Sequence, residues 1–328
     1  MEIPSIHPDK KYHSSLIKSS GCISSLESVA AWFSTRQGKK IPDVIKPAVV
    51  LFASDHGIST EVDYPDAVTT SELLSAATRD DSPIRKLCAR ANASLYIVDV
   101  GVAGDLSGID GVEDARVRAG TANIAHESAM QQSDYWESVG IGEELANRMI
   151  AEGANLLISG SISARDEVSV AAVISDLAGL SPEDALRSSS NGSHEIYTQE
   201  LVALEAALAR TQGTSSHDIL RELGGLELAA MAGFYRAAAH KAVPVLLDGL
   251  ASTAAALAAT AWDVRIAGWM LASHVSDDAG HRQALEDLGL EPLMELNESI
   301  GEAKVATLLL PVLQSALTLQ SGLALLEE

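Results

Sequence analysis

The stretch AVVLFASDHG, residues 48–57, decides the fold, because a continuous run of small and aliphatic residues ends abruptly in an Asp-His-Gly turn. An apolar run of this length, without alternation, predicts a strand that is buried on both faces of a sheet. Four further runs of the same kind follow along the chain: SLYIVDV (94–100), NLLIS (155–159), VPVLL (243–247) and RIAGWMLAS (265–273).

Helical patterns separate these runs. The clearest are PIRKLCARANA (83–93), GIGEELANRMIAEGA (140–154) and GLELAAMAGFYRAAAHKA (225–242). Strand and helix patterns that alternate in this way are typical of βαβ units. The sequence therefore predicts an α/β fold with a doubly wound, mostly parallel sheet that is flanked by helices.

Polar side chains follow every predicted strand at its carboxyl end. They are Asp55 and His56, Asp99, Ser159 and Ser161, Asp248, and Ser273 with His274. Any one of them is equally well explained as the N-cap of the next helix. Together they favour a polar cleft at the carboxyl edge of the sheet, which is where ligands bind in open α/β folds.

The amino-acid composition limits the classes of molecule that the protein is expected to bind. The 328 residues include 45 acids and 23 bases, which gives a formal net charge of -22 and argues against nucleic acid or an anionic membrane as a partner. Cys22 and Cys88 have no spacing suited to a metal or a disulfide framework, and the first residues lack the apolar region of a secretory signal. The apolar tracts at 243–262 and 305–326 are interrupted by polar residues or proline. We expect a cytoplasmic protein without a metal site or a membrane span.

Several familiar catalytic motifs are missing. The chain has no GxGxxG after a strand, no GxxxxGK[ST], no GxSxG and no HExxH. Dinucleotide enzymes, P-loop NTPases, serine hydrolases and zinc peptidases therefore lack support.

Six blocks in order resemble one known family. They are LFASDHGIS (51–59), YPDAVT (64–69), YIVDVGV (96–102), the long block at 223–259, SHVSDDAGHRQALEDLGLEPL (273–293) and SIGEAKVATLLLPVL (299–313). With these blocks the chain resembles the nicotinate-nucleotide:dimethylbenzimidazole phosphoribosyltransferases of cobamide (vitamin B12) assembly. The resemblance implies an α/β domain over 45–290 and a smaller helical domain from 1–44 and 291–328. It also implies a homodimer, or a heterodimer with a homologous subunit.

The resemblance implies a reaction as well. Ribose 5-phosphate moves from nicotinate mononucleotide to a nitrogen base, or in some relatives to a phenol, and nicotinate leaves. The reaction needs no cofactor. It does need a carboxylate that accepts a proton, donors that hold the phosphate, and an apolar slot for the flat acceptor.

The family's catalytic carboxylate lies in an LGEGSG motif, which this chain replaces with IGEAKVA (300–306). Glu302 takes the place of that carboxylate, and Lys304 beside it is able to pair with it. Without the family, Glu302 is more simply explained as a surface acid at a helix start.

The resemblance also implies a set of substrate-binding residues. They are Asp55 and His56 of the Asp-His-Gly turn, Tyr64 and Pro65 of the acceptor loop, Ser161 and Ser163, Asp248, and Ser273, His274 and Ser276 of the SHxS block.

Departures from the family concentrate on the nucleotide side. The family turn GEMGIGNTT reads GSISARDEV here (160–168), so that Ser161 replaces a Glu, and Asp166 and Glu167 enter the turn. The Gly-rich phosphate loop corresponds to RSSSNGS (187–193), with Arg187 and Ser189 at glycine positions, and Glu200 stands where the family has a phosphate-binding Lys. The helix-start glycine pair reads RDDSP (79–83).

These departures leave alternatives open. One is an active transferase with a diverged phosphate site. The second, equally weighted, is a catalytically impaired subunit that completes a homologous partner. The third is a regulatory protein that binds a nucleotide or a base.

Overall fold

The computed structural model of the protein describes residues 3–4, 25–65, 68–186, 194–278, 280–296 and 300–321. Its centre is a seven-stranded sheet with the order β3-β2-β1-β4-β5-β6-β7, in which every neighbouring pair is parallel. The strands are β1 (Pro47–Ser54), β2 (Ser94–Gly101), β3 (Glu113–Asp114), β4 (Leu156–Ile162), β5 (Val245–Leu247), β6 (Met270–Val275) and β7 (Pro292–Glu295).

Helices cover both faces of this sheet. In chain order they are α1 (Ser25–Gln37), α2 (Thr70–Thr78), α3 (Pro83–Ala91), α4 (Gln132–Ala151), α5 (Glu167–Ala178), α6 (Pro182–Ala185), α7 (His194–Arg210), α8 (Ile219–Leu223), α9 (Leu226–His240), α10 (Leu250–Trp262), α11 (His281–Asp287) and α12 (Lys304–Ser321). Short 3-10 helices occupy Gly57–Glu61 and Val264–Trp269. The α/β class and the doubly wound sheet are confirmed.

The position of β1 in the middle of the sheet explains why its sequence is apolar throughout. Successive side chains of a strand point to opposite faces. Val50 and Phe52 therefore join the apolar cluster under α4, α5, α9 and α10, while Val49 and Leu51 join the cluster under α1, α2, α3 and α12. A strand that is buried on both sides has no face on which polar residues are tolerated.

The strand order reverses at β1. The chain runs outward from β1 through β2 to β3, returns along α4, and then continues outward on the other side through β4 to β7. The carboxyl ends of β1 and β4 therefore flank the switch point, where a crevice opens in folds of this kind.

One of the departures from the family sequence, RDDSP at 79–83, forms the start of helix α3. Within RDDSP, the Ser82 hydroxyl accepts the N–H of Arg85 at 3.4 Å, and Pro83 occupies the first helical position of α3. Serine at the N-cap followed by proline is a favourable beginning for a helix, so this substitution is compatible with the fold.

Two parts of the sheet differ from the sequence-based expectation. The run RIAGWMLAS (265–273) was expected to be one strand, but β6 begins only at Met270, because the Asp263 side chain accepts the N–H of Arg265 and starts a 3-10 helix instead. The edge strands β3 and β7 were not predicted. They are only two and four residues long and carry exposed side chains.

The terminal helices share a core with the sheet. Val29 and Phe33 of α1 and Leu310 and Leu313 of α12 belong to the same buried cluster as Leu51 of β1. The division into domains at 45–290 and at 1–44 with 291–328 stays a prediction. Among the described residues, no helix is both long and apolar enough to cross a membrane.

Candidate active site

A cavity of about 360 Å³ lies at the carboxyl edge of the sheet, where β4, β5 and β6 end. Sequence-predicted site residues that line it are Ser161, Ser163, His274, Ser276 and Glu302. Segments that are far apart in the chain therefore meet at one place. The other predicted residues lie around or beneath the cavity.

Glu302 occupies a strained turn at the cavity wall. Gly301, Glu302 and Ala303 all have left-handed backbone angles, with φ of 59°, 56° and 57°. This conformation costs a residue with a side chain roughly 1–2 kcal/mol, so it persists only where the surroundings enforce it. The carboxylate of Glu302 pairs with Lys304, whose Nζ lies 2.9 Å from Oε2.

Asp248 is one of the residues that enforce this turn. It is buried, and its Oδ1 accepts the N–H of Ala306 at 2.8 Å, in the first turn of α12. Burial raises the pKa of Asp248, although the N–H of Ala306 and the nearby His274 counter the shift. Asp248 therefore fixes the start of α12 and with it the place of Glu302. Its predicted contact with substrate stays a prediction.

Gly160 enforces the same turn from the sheet. A Cβ atom at this position would lie 2.5 Å from the backbone nitrogen of Ala303 and 3.0 Å from the carbonyl carbon of Glu302. The turn therefore packs directly against the backbone of β4, which only glycine permits. The alignment with the family does not point to this contact, because it joins residues that are far apart in sequence.

Ser273 and His274 connect the cavity to Asp248. The Ser273 hydroxyl donates to the carbonyl oxygen of Asp248 at 3.1 Å and lies 2.9 Å from Nδ1 of His274. Because that hydroxyl has only one proton to donate, it accepts from the Nδ1–H of His274 in this arrangement.

His281 holds Ser276 in position. The Ser276 N–H donates to Nδ1 of His281 at 3.1 Å, so the ring proton is on Nε2 and donates to the Thr253 hydroxyl at 3.1 Å. Burial, with the neighbouring His274, lowers the pKa of His281 to about 4. Sequence reasoning did not select His281, although it lies in the block SHVSDDAGH that includes Ser276.

Asp55 and His56 lie at the end of β1, away from the cavity lining. His56 is fully buried, with Nδ1 2.9 Å from the Ser169 hydroxyl and Nε2 3.0 Å from Oε1 of Glu227. Burial opposes a charge on His56, but the carboxylates of Glu227, Asp166 and Asp55 outweigh it and raise its pKa to about 9. His56 therefore ties β1 to α5 and α9 as a buried cation.

Asp55 performs a similar connecting function. Its Oδ2 accepts the N–H of Ala103 at 2.7 Å, and its Oδ1 accepts the hydroxyl of Thr70 at the start of α2. The substrate-binding roles of Asp55 and His56 stay predictions, since neither residue lines the cavity.

Tyr64 reaches the cavity through Glu200. The Tyr64 hydroxyl donates to Oε1 of Glu200 at 3.0 Å, and the Arg165 guanidinium lies 4.1 Å from the centre of the Tyr64 ring. Burial raises the pKa of Glu200, which lines the cavity. Pro65 is exposed, and its part in an acceptor pocket stays a prediction.

The turn before α5 forms the acidic wall of the cavity. Ser161 donates to Oδ2 of Asp166 at 3.3 Å, and Asp166 and Glu167 both line the cavity. Burial and the Glu167 charge raise the pKa of Asp166 to about 7. The predicted phosphate loop at 187–193, with Arg187 and Ser189, lies outside the described residues.

An apolar part of the cavity was missed by sequence reasoning. Val170 of α5, Leu186 after α6, Leu250 of α10 and Ile300 before Glu302 contribute to it. These residues look like ordinary core residues in the sequence, so only their spatial arrangement reveals the slot. Asp278 also lines the cavity, on the polar side.

Comparison with known proteins identifies the family. A family profile described as phosphoribosyltransferase matches residues 8–328. The nicotinate-nucleotide–dimethylbenzimidazole phosphoribosyltransferase of Chromobacterium violaceum is 38% identical over 317 residues, which cover 95% of this chain and 92% of that protein. The chain belongs to this family. It is therefore a phosphoribosyltransferase of cobamide lower-ligand synthesis, and the expected family and enzyme class are confirmed.

Other members of the phosphoribosyltransferase family support the same conclusion. The Thermus thermophilus enzyme of the same name is 36% identical over 294 residues, or 89% of this chain and 88% of that protein. Its crystal structure superposes with a TM-score of 0.88, at 33% identity and with 97% of both chains covered.

Proposed function

We propose that the chain transfers the 5-phosphoribosyl group of nicotinate mononucleotide to a nitrogen of a benzimidazole-type base, with Glu302 as the general base. The observation that carries this proposal is the constrained turn that presents the Glu302 carboxylate to the cavity. A strained backbone that several contacts enforce is typical of functional sites.

The chemistry requires one proton acceptor. The lone pair of one ring nitrogen of the acceptor attacks C1 of the ribose. The bond from C1 to the pyridinium nitrogen breaks, and its electron pair stays on the nicotinate ring. The other ring nitrogen of the acceptor then loses its proton to Glu302, which completes the balance.

The cavity suits these reactants in size and character. Its volume of about 360 Å³ lies in the range of small-molecule sites. Ile300 and Leu250 supply apolar surface for a flat ring, and Ile300 is two residues from Glu302. We place the acceptor at this end of the cavity and the nucleotide towards α5 and α10, whose N-termini also line it.

A second candidate function has a specific observation in its favour. Asp166, Glu167 and Glu200 all face the cavity, and none of them helps to neutralise a dianionic phosphate while it is ionised. This arrangement favours a subunit that works with a homologous partner, in which the partner provides the nucleotide site. A phenol acceptor would fit the same scheme, because its hydroxyl proton also passes to a carboxylate.

The test uses the purified chain alone, with nicotinate mononucleotide and 5,6-dimethylbenzimidazole. We expect release of nicotinate and formation of the α-riboside phosphate, both measured by chromatography. A parallel reaction with phenol tests the acceptor class, and light scattering measures whether the chain is a dimer. Absence of turnover by the lone chain, with turnover on addition of a homologous subunit, would refute the first function and support the second.

A further inference from the structure

We propose that Lys304 is a positioning residue, which holds the Glu302 carboxylate at the cavity wall and leaves its Oε1 to accept the proton of the acceptor. The inference rests on the proposed function, in which Glu302 is the general base. It accounts for a departure from the family, because the LGEGSG motif has only small residues after its Glu, whereas this chain has Lys304.

The backbone of Lys304 closes the turn that carries Glu302. Its N–H donates to the carbonyl oxygen of Gly301 at 3.1 Å. The two residues between them, Glu302 and Ala303, both have positive φ, as the central residues of a type I′ turn do. Asparagine and glycine are the residues that such turns favour, so a Glu-Ala pair is unusual there. The chain reverses in this turn and brings the side chains of Glu302 and Lys304 together.

The side chain of Lys304 closes the same turn a second time. Its Nζ lies 2.9 Å from Oε2 of Glu302, and the two side chains are only 18% and 20% exposed. Side chains two positions apart do not face each other on an α-helix, so this pair depends on the reversed turn that precedes α12. A lysine with so little exposure normally has an acidic partner. Here that partner is the proposed base.

Lys304 occupies an unfavourable position for a cation. It is the first residue of α12, where the positive end of the helix dipole disfavours a positive charge. The stability of α12 therefore does not explain a lysine at this place. Sequences break local rules of this kind mainly at functional sites. The contact with Glu302 is the feature of the structure that accounts for the residue.

The contact selects one orientation of the Glu302 side chain. A glutamate side chain has three rotatable bonds and several rotamers, and the ammonium group of Lys304 favours those that place Oε2 beside it. Within the described part of the chain, Oε1 has no hydrogen-bond partner. Glu302 lines the cavity, whereas Lys304 is not among the described residues that do. Lys304 therefore acts through Glu302 and not on the substrates.

The first test is steady-state release of nicotinate by Lys304→Met, with nicotinate mononucleotide and 5,6-dimethylbenzimidazole. We expect kcat to fall ~10–100-fold, because a small displacement of a catalytic group is costly. The KM values should change little, and Lys304→Arg should recover most of the lost kcat because it restores a cation. Lys39→Met, which removes a lysine from an exposed pair with Asp43, should leave kcat within about twofold of the wild type.

A double-mutant cycle separates positioning from substrate binding. If Lys304 acts through the Glu302 carboxylate, Lys304→Met should cause no further loss of kcat in a Glu302→Gln background. A lysine that binds the donor phosphate directly would instead raise the KM for nicotinate mononucleotide in both backgrounds. That result would overturn the inference, and so would a Lys304→Met enzyme with wild-type kcat. Either result leaves the proposed function intact as long as the wild type releases nicotinate.

Crystal structures of the wild type and Lys304→Met provide a readout that does not depend on turnover. We expect the backbone at 301–303 to be unchanged and the Glu302 side chain to pass from one rotamer to several. A single, unchanged Glu302 rotamer in Lys304→Met refutes the inference. If the lone chain has no activity, the proposed function fails and these structures still decide whether Lys304 positions Glu302. Equal melting temperatures confirm that Lys304→Met is folded.

Discussion

The Glu302 turn and the turn before α5 line the same cavity, but they are held in different ways. Gly301, Glu302 and Ala303 are fixed through main-chain atoms, because the turn rests on the backbone of Gly160 and the Asp248 side chain accepts the N–H of Ala306 in α12. The turn before α5 is arranged by side chains, through the contact of Ser161 with Asp166. The Glu302 turn is therefore sensitive to added bulk at Gly160, whereas the turn before α5 changes its chemistry when Ser161 or Asp166 is substituted.

The largest effect should come from Glu302→Gln. If Glu302 is the proton acceptor, its loss should lower kcat by about 10²–10⁴-fold, the usual contribution of a general base. The KM for nicotinate mononucleotide should change little, because the amide keeps the shape of the side chain. Steady-state release of nicotinate measures both constants.

The control for this variant is Glu295→Gln, at an exposed acid that pairs with Arg282. It should leave kcat unchanged within about twofold, since exposed ion pairs contribute little. A Glu302→Gln enzyme with wild-type kcat would mean that the constrained turn has a purely structural role.

The next largest effect is expected on stability, from loss of the buried ion pair between His56 and Glu227. His56 is charged and fully buried between Ser169 and Glu227, so His56→Gln leaves the Glu227 carboxylate without its partner. Loss of one member of a buried ion pair costs about 3–5 kcal/mol in the free energy of unfolding. Urea unfolding at pH 7 measures this. His126→Gln, which removes an exposed histidine paired with Glu61, should cost less than about 0.5 kcal/mol.

The pH dependence of wild-type stability tests the same pair without a variant. The folded-state pKa of His56 is raised to about 9, above the value of about 6.5 in an unfolded chain. Its stabilising contribution is therefore fully present below pH ~6.5 and is lost as the pH rises through 9, about 3 kcal/mol in all. Stability that stays level from pH 6.5 to pH 9.5 would contradict a charged His56.

Gly160→Ala should have an intermediate effect and acts on the Glu302 turn. The new methyl group would lie 2.5 Å from the backbone nitrogen of Ala303, so the turn must move away from β4. Overpacking of this kind costs about 1–3 kcal/mol in stability, and we expect kcat to fall at least ~10-fold because the carboxylate is displaced. Gly140→Ala is the matched control. Nothing lies within 4 Å of that site on α4, and the change should stabilise the helix by about 0.5–1 kcal/mol.

The sequence predicts the fold more completely than the site. Buried parallel strands need apolar residues on both faces, so β1, β2, β4 and β5 leave a clear pattern. The run at 265–273 has the same composition, but its first half is a 3-10 helix because Asp263 caps it. Composition alone does not distinguish a buried strand from a short apolar helix.

Within the site, the residues that lie in recognisable motifs were predicted. The contacts between residues that are distant in sequence were not. Glu302, His274 and Ser276 lie in blocks of the family and line the cavity. The contact of Asp248 with Ala306 joins positions 58 residues apart, and no local pattern indicates it. The same limit applies to Gly160, whose neighbours become visible only once β4 and α12 are packed together.

Ala303→Gly should have the smallest effect, and it sharpens the comparison between the two turns. Ala303 is buried with φ of 57°, so glycine would remove the backbone strain of about 1–2 kcal/mol. Against this, the variant loses a buried methyl group, worth about 0.8 kcal/mol, and gains freedom in the unfolded chain. Stability should therefore change by less than about 1 kcal/mol, with kcat/KM within about twofold of the wild type, as measured by urea unfolding and by nicotinate release. A large loss of activity with unchanged stability would show that the Ala303 side chain itself positions Glu302, and that this turn also depends on side chains, like the turn before α5.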